Sequence, residues 1–352
     1  MKTLTIGDLK ARIPIIQGGM GVGISRCNLA GAVALEGAMG VISTAQIGYD
    51  DKDFINNPEQ TNLRVLSEQI KQAIEISKGN GIIAVNAMVA TNDYEAYIKT
   101  ACDAGVDAII SGAGLPTDLP EYAKGYDVLL APIVSSQKSA RVILKYWDKK
   151  FNRTADFLVI EGPKAGGHLG FSNEELEDIS SLDYDSEIKK IIELKKTYEE
   201  KFHTIIPVFL AGGIFTKEDV AHALELGANG VQVATRFVVT KECDASEAYK
   251  QAYLDATDKD VVIIKSPVGM PGRAINNSFV QKVSKSKEKI THCFNCLKAC
   301  KPKEAPYCIT KALINAVEGN LDQGLIFCGA RVGELTKLTT VKEVIDELNV
   351  VL

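Results

Sequence analysis

Phe209-Leu210-Ala211-Gly212-Gly213-Ile214, followed by Gly230-Val231-Gln232-Val233-Ala234-Thr235-Arg236-Phe237, is the stretch on which the reading of the fold turns. Each half is an apolar run that closes in small residues, and a helix-period segment, Thr216 to Leu226, lies between them. The pair reads as one βαβ unit whose two strand tips can hold a phosphate together. Glycine lets backbone N–H groups approach an anion with no Cβ in the way, and a following helix start adds partial positive charge. Where such a unit closes a ring of eight parallel strands, it is the usual seat of a phosphorylated ligand.

Working outward, the same alternation covers the chain. Apolar runs at Pro14–Gln17, Gly40–Ser43, Ile82–Asn86, Ala108–Ser111, Val128–Pro132, Phe157–Ile160, Pro207–Leu210 and Gly230–Val233 make eight expected strands. Between them, Leu63 to Ser77, Asp93 to Ala104, Gln137 to Trp147 and Lys217 to Leu226 carry apolar residues at three- and four-residue spacing. This implies an α/β protein with right-handed crossovers, and a count of eight favours a (β/α)₈ barrel over an open doubly wound sheet. At 352 residues the chain exceeds the usual barrel length of about 250, which leaves room for an insertion and a C-terminal extension. Hydrophobic residues make up 46% and aromatics 7%, the aliphatic bias of strands buried on both faces. A formal net charge of −5 gives no basic footprint, so nucleic acid is not expected as a partner. No secretory h-region and no apolar stretch of bilayer length is evident, so no membrane partner is expected and the expected location is cytoplasmic.

Two segments break the rhythm. An acidic helix-forming stretch, about 171–204, follows the sixth strand and is read as a lid over the strand ends. After the eighth strand come a helix near Ser246 to Ala256, an extended run Val261–Lys265, a Gly/Pro-rich loop and a cysteine-bearing tail. The expected division is a barrel over 1–277, with the lid inside it, and a Cys-rich C-terminal extension over 278–352 packed on the barrel. An apolar face on that tail is where a homodimer would form.

Catalytic groups of such barrels lie at strand C-termini. After the first strand comes Gln17-Gly18-Gly19-Met20-Gly21-Val22-Gly23, a loop that lets a planar ring lie against backbone. The third strand ends in Asn86, whose amide both donates and accepts, as the polar edge of a flavin or nucleobase requires. The sixth ends in Glu161-Gly162-Pro163-Lys164-Ala165-Gly166-Gly167-His168-Leu169-Gly170. That loop is too glycine-rich to be a packing element, so its histidine reads as chemical. His203 and His222, on the insertion and in a helix, read as structural. A phosphate-binding barrel without flavin, an isomerase or aldolase, stays open on fold alone. Lys164 lacks the apolar setting of a Schiff-base lysine.

The combination Gln17-Gly18-Gly19-Met20, Ala165 to Gly170, Ala211-Gly212-Gly213-Ile214 and Val231 to Phe237 resembles the nitronate monooxygenase family, formerly the 2-nitropropane dioxygenases. That family includes the flavin-dependent type II enoyl-acyl-carrier-protein reductases. The likeness runs from about Ile13 to Asn277, with an echo at Thr339 to Ile345. It implies a TIM barrel that binds FMN noncovalently, with the phosphate at Gly212, Gly213 and the Gln232-Val233-Ala234-Thr235 turn. The isoalloxazine would lie near Gly19, Met20, Asn86 and Gly167, and His168 would be the catalytic group beside it. Ala234 stands where a glycine is more usual, and its methyl leaves the N–H free. Gly269 to Ala274 resembles a loop that in the reductase branch lies where nicotinamide approaches. The resemblance implies a small-molecule substrate: an alkyl nitronate, oxidised with O₂ to a carbonyl compound and nitrite, or an enoyl thioester reduced at the expense of NAD(P)H. Arg236 or Lys164 would draw in an anion.

Five of the eight cysteines fall in the tail, as Cys293-x₂-Cys296-x₃-Cys300-x₇-Cys308 with Cys328 beyond. Such spacing can fold four thiolates around one centre, and an iron–sulfur cluster or zinc at Cys293, Cys296, Cys300 and Cys308 is weighed against free thiols. Cys27, Cys102 and Cys243 read as packing residues.

Overall fold

The structure, a computed structural model, describes residues 1–350. Its centre is a closed barrel of eight parallel strands: β1 (Ile15–Gln17), β2 (Met39–Ser43), β3 (Ile82–Met88), β4 (Ala108–Gly112), β5 (Leu129–Val134), β6 (Leu158–Glu161), β7 (Val208–Ala211) and β8 (Gly230–Val233). All eight expected strands are present within two residues of their expected ends. The ring closes where Val231 to Val233 of β8 pair with Ile15 to Gln17 of β1.

Alternation along each strand sorts its side chains. Ile16, Val41, Ala84, Ile110, Ala131, Val159 and Phe209 fill the lumen as one apolar cluster. Their neighbours Ile15, Ile42, Val85, Ile109, Leu130, Ile160 and Leu210 point outward into the larger core beneath the helices. The rings of Phe157 and Phe209 meet edge to face at 5.6 Å inside the lumen. An N-terminal hairpin, Leu4–Ile6 with Leu9–Ala11, stoppers the bottom, since Ile6 and Ala11 belong to the lumen cluster. Only the C-terminal ends of the strands are left open to a ligand.

The outer ring follows from helix-period sequence and its stop signals. The helices α1 (Cys27–Leu35), α2 (Pro58–Ser77), α3 (Tyr94–Asp103), the short α4 (Leu119–Tyr122) and α5 (Gln137–Phe151) succeed β1 to β5 in turn. In α5, Ala140, Ile143, Leu144 and Trp147 form the buried stripe. Ser136 and Ser139 close a reciprocal capping box at its start, and Asn152, left-handed at φ 51°, ends it.

The segment expected as a lid is mostly something else. Its long helix, α6 (Tyr184–Phe202), packs against α5 and buries Ile188, Ile191 and Tyr198, so it is the crossover helix between β6 and β7. A parallel sheet requires such a helix there, and the acidic outer face disguised it. What remains is Asn173–Glu177 and a 3₁₀ turn, Ile179–Ser181. No residue from 171 to 204 lines the cavity described below.

After β7 comes α7 (Lys217–Glu225), and after β8 only the four-residue helix Thr235–Val238. The eighth position of the ring is filled from the far end of the chain by α8 (Val341–Leu348), which packs between α7 and α1. Val341, Val344, Ile345 and Leu348 are each at most 1% exposed in the same core as the barrel helices. The expected boundary at 277 therefore leaves the barrel one helix short. Residues 239–340 form an excursion that leaves the ring, crosses the open end and returns. Within it, Val261–Lys265 pairs antiparallel with Pro271–Ile275, and that strand pairs in turn with Gly167–His168. Among the described residues no helix is long and apolar enough to cross a membrane.

Candidate active site

A cavity of about 390 Å³ opens at the C-terminal ends of the strands, within the range of small-molecule sites. Its floor is set by register. Among the inward positions one step above the apolar lumen are Ser43, Asn86, Ile133, Glu161 and Gln232, and all five line it. Glu161 and Gln232 both pair in register with Ala211, so a small side chain separates two polar ones.

One wall is backbone. Gly212 and Gly213 both have φ near +90°, a conformation open only to glycine without strain. The N–H groups of Gly212, Gly213 and Ala234 find no acceptor among the described residues, and all three residues line the cavity. Val233 contributes main chain alone: its side chain is core, and its carbonyl accepts from Gly18 N at 2.9 Å. Beside it the β1 loop is tied down by Gln17, whose Oε1 accepts from Val41 N at 3.0 Å and whose Nε2 donates to Ser25 Oγ at 2.9 Å. A Cβ on Gly19 would sit 2.4 Å from Asn86 Cβ, so glycine there lets the loop lie flat on Asn86. Met20, held through its N–H to Ser25 Oγ at 3.0 Å, continues that surface.

His168 lines the same cavity from the β6 loop. The small sheet carries it: Gly272 pairs with His168 and Arg273 with Gly167, while the buried Arg273 guanidinium donates to Ala165 O. Thus the Gly269 to Ala274 segment, given no residue role from sequence, clamps the histidine loop. The His168 ring stands edge-on to Phe327 at 4.9 Å. Its Nε2 lies 2.7 Å from Ser266 Oγ, and that oxygen accepts from Val268 N at 3.3 Å. Where the hydroxyl donates to Nε2, the ring proton sits on Nδ1, a nitrogen with no partner among the described residues. Burial lowers the imidazole to a pKa of about 4, so the ring is neutral at pH 7.

Sequence reasoning passed over Glu161. Its carboxyl has no hydrogen-bond or salt-bridge partner among the described residues, and burial raises it to a pKa of about 7. The available signal was a carboxylate at an inward position ending an otherwise apolar strand.

The tail supplies the roof, which sequence also missed. Gly166 has no room for a Cβ because the Cys328 carbonyl carbon would lie 2.7 Å away, and Ala330 N donates to Lys164 O at 3.2 Å. Arg331 donates to Gly213 O at 3.0 Å, is paired with Asp219 and Glu334, and lies over the Phe215 ring at 5.1 Å. Arg236 does not line the cavity. Its guanidinium donates to Phe215 O at 2.8 Å and pairs with Glu347 of α8, so the cation expected to draw in an anion fastens the closing helix instead. Lys164 lines the cavity and has no salt-bridge partner among the described residues.

His203 and His222 are structural, as expected. His203 is the left-handed C-cap of α6, and the exposed His222 pairs with Asp185 at 3.0 Å. Among the described residues no three His, Cys, Asp or Glu side chains are placed to hold a metal ion, although Cys293, Cys296, Cys300 and Cys308 lie near enough for their thiols to perturb one another. The segment bearing Cys293 to Cys300 is pinned by backbone to the loop after β3, with Asn92 N on Cys296 O at 3.2 Å and Lys298 N on Ala90 O at 3.0 Å. Cys296 and Cys328 line the cavity, Cys293 is exposed, and Cys308 starts the helix Ile309–Val317. Cys27, Cys102 and Cys243 are buried packing residues.

Comparison with known proteins agrees with this arrangement. Residues 2–350 match the family described as Nitronate monooxygenase. A probable nitronate monooxygenase of Staphylococcus saprophyticus is 25% identical over 312 residues, covering 82% of this chain and 83% of that protein. One from Staphylococcus aureus is 26% identical over 296 residues, covering 78% and 79%. Among solved structures, FabK from Thermotoga maritima superposes with a TM-score of 0.69 at 24% identity, over 96% of this chain and 91% of that one. Nitroalkane oxidase from Streptomyces ansochromogenes does so with a TM-score of 0.70 at 19% identity, over 96% and 94%.

Proposed function

Because the chain belongs to the nitronate monooxygenase family and is an oxidoreductase, we propose that it is an FMN-dependent nitronate monooxygenase. It would convert alkyl nitronates with O₂ to carbonyl compounds and nitrite. The observation that carries the reading is the set of amides at Gly212, Gly213 and Ala234, unbonded among the described residues, on two adjacent strand tips that line the same cavity as one neutral imidazole.

The residues present fit FMN. The amides of Gly212, Gly213, Ala234 and Thr235 would hold its phosphate, and Gly19, Met20, Asn86, Gly167 and Gln232 would line its rings. When bound, FMN supplies the electron-transfer chemistry; the protein supplies position and field. His168 gives an anionic nitronate an Nδ1–H to bond rather than a full charge. Ser266 is its positioning residue, holding the other nitrogen. Lys164, with no salt bridge of its own, supplies the attraction that brings an anion in. The roof of Phe327 to Arg331 excludes water from the reacting groups.

A second reading, NAD(P)H-dependent reduction of an enoyl thioester, is favoured by Glu161. That reaction consumes a proton at carbon, and a carboxyl that keeps its proton to about pH 7 could provide one. Anaerobic reduction separates the two. Bleaching of the flavin by ethyl nitronate alone supports the monooxygenase, and rapid bleaching by NADH or NADPH with none by nitronate overturns it in favour of the reductase.

A further inference from the structure

We propose that Glu161 makes anion binding in this cavity proton-linked: a small anion is admitted while the Glu161 carboxyl is neutral and is refused once it ionises. The inference rests on the reading above, that the cavity takes an anionic nitronate, and adds the residue that sets when it does so.

Geometry carries it. Glu161 is the inward residue at the last position of β6, directly above Val159 of the lumen cluster, so its carboxyl stands on the cavity floor. Across the small Ala211 lies the neutral amide of Gln232. Tyr184 of α6 donates its hydroxyl to the Glu161 main-chain oxygen at 2.9 Å and to Ser135 O at 3.0 Å, not to the carboxyl. The other titratable groups around the same space are Lys164 and His168 on its own loop, Tyr249 and Tyr253 from the helix Glu247–Asp255, and Cys296, Cys328 and Arg331 from the tail. None hydrogen-bonds the Glu161 carboxyl or pairs with it, and Arg331 is committed to Asp219 and Glu334. A carboxylate without a counter-ion on the floor of a largely apolar cavity repels any anion brought against it, and a neutral carboxylic acid can donate a hydrogen bond to that anion. The raised pKa of about 7 agrees with this and sets the pH at which admission should fail.

The probe is inorganic nitrite, titrated calorimetrically into the FMN-loaded protein in two buffers of different ionisation enthalpy. Above pH 7 the wild type should take up close to one proton per nitrite bound, and its dissociation constant should rise about tenfold per pH unit. Glu161→Gln, which keeps the shape and the neutral state, should bind nitrite with no proton uptake and a flat pH dependence. Thermal melting and retained FMN check that the variant is folded. Nitrite binding without proton uptake in the wild type, or the same uptake in Glu161→Gln, overturns the proposal. Ethyl nitronate turnover is measured alongside: proton-linked nitrite binding without turnover sinks the nitronate reading and leaves Glu161's role standing, and turnover with pH-independent binding does the reverse.

Discussion

Glu161→Gln and His168→Gln should reveal two opposing contributions to the pH dependence of stability. Burial moves Glu161 from 4.5 to about 7 and His168 from 6.5 to about 4. At 1.36 kcal/mol per pH unit each displacement corresponds to about 3 kcal/mol, which cavity water reduces to about 2 kcal/mol. The signs differ. Folded Glu161 holds its proton more tightly than the unfolded chain does, so its contribution is full below pH 4.5 and is lost as pH rises through about 7. Folded His168 holds its proton less tightly, so its contribution is full above pH 6.5 and is lost as pH falls toward about 4. Between pH 4.5 and 6.5 one rises while the other falls. Urea unfolding of the flavin-free protein at pH 4.5, 5.5 and 6.5 reads the effect directly. Relative to wild type, Glu161→Gln should gain about 2 kcal/mol across the window, and His168→Gln should lose about as much. Identical profiles for all three proteins would refute the assignment of a protonated carboxyl and a neutral imidazole to this cavity.

Four further outcomes are expected. Gly212→Ala puts a Cβ 2.7 Å from Gly162 O at φ +91°, so the tip must move and the FMN dissociation constant, read by fluorescence quenching, should rise at least about tenfold. Ser266→Ala frees the His168 tautomer, so kcat should fall about tenfold with KM little changed, and ¹⁵N spectra of the ring should report a mixed tautomer. Arg331→Ala removes the tail's hold on Gly213 O and Asp219, and should cost about 1–2 kcal/mol by urea unfolding while weakening FMN retention. Leu348→Ala hollows the contact of α8 with the ring and should cost about 3 kcal/mol, although it lies more than a hundred residues from β8 in sequence.

The barrel was legible because its signal is local. A buried parallel strand needs a short aliphatic run, a crossover needs a three-to-four period, and residues 209–237 carry both with glycines at the strand tips. The site's near side was legible for the same reason: Gly19, Asn86, His168, Gly212 and Gly213 all end or follow strands. What could not be read depends on contacts distant in sequence. The closing helix α8 carries the family echo at Thr339 to Ile345, but its place in the ring follows only once β8 is seen to be succeeded by no more than the four-residue helix Thr235–Val238. Arg236 reads as a surface cation beside a phosphate turn, and only the position of Glu347 gives it a different task. The lid was misread because the many lysines and glutamates of α6 disguise the apolar stripe of Ile188, Ile191 and Tyr198 that packs on the barrel. Cysteine spacing permits a metal centre but does not require one, and spacing alone does not fix how the thiols are oriented. Glu161 was overlooked because its inward direction follows from strand register, which composition does not reveal.

The claim on which the rest depends is that the strand tips at Gly212–Gly213 and Ala234–Thr235 hold the phosphate of FMN. The most direct measurement is the flavin content of protein purified from a flavin-replete host, followed by thermal melting as FMN is titrated into stripped protein. One FMN per chain and a melting temperature that climbs with added FMN are predicted; a colourless preparation whose melting temperature FMN leaves unmoved would contradict the account.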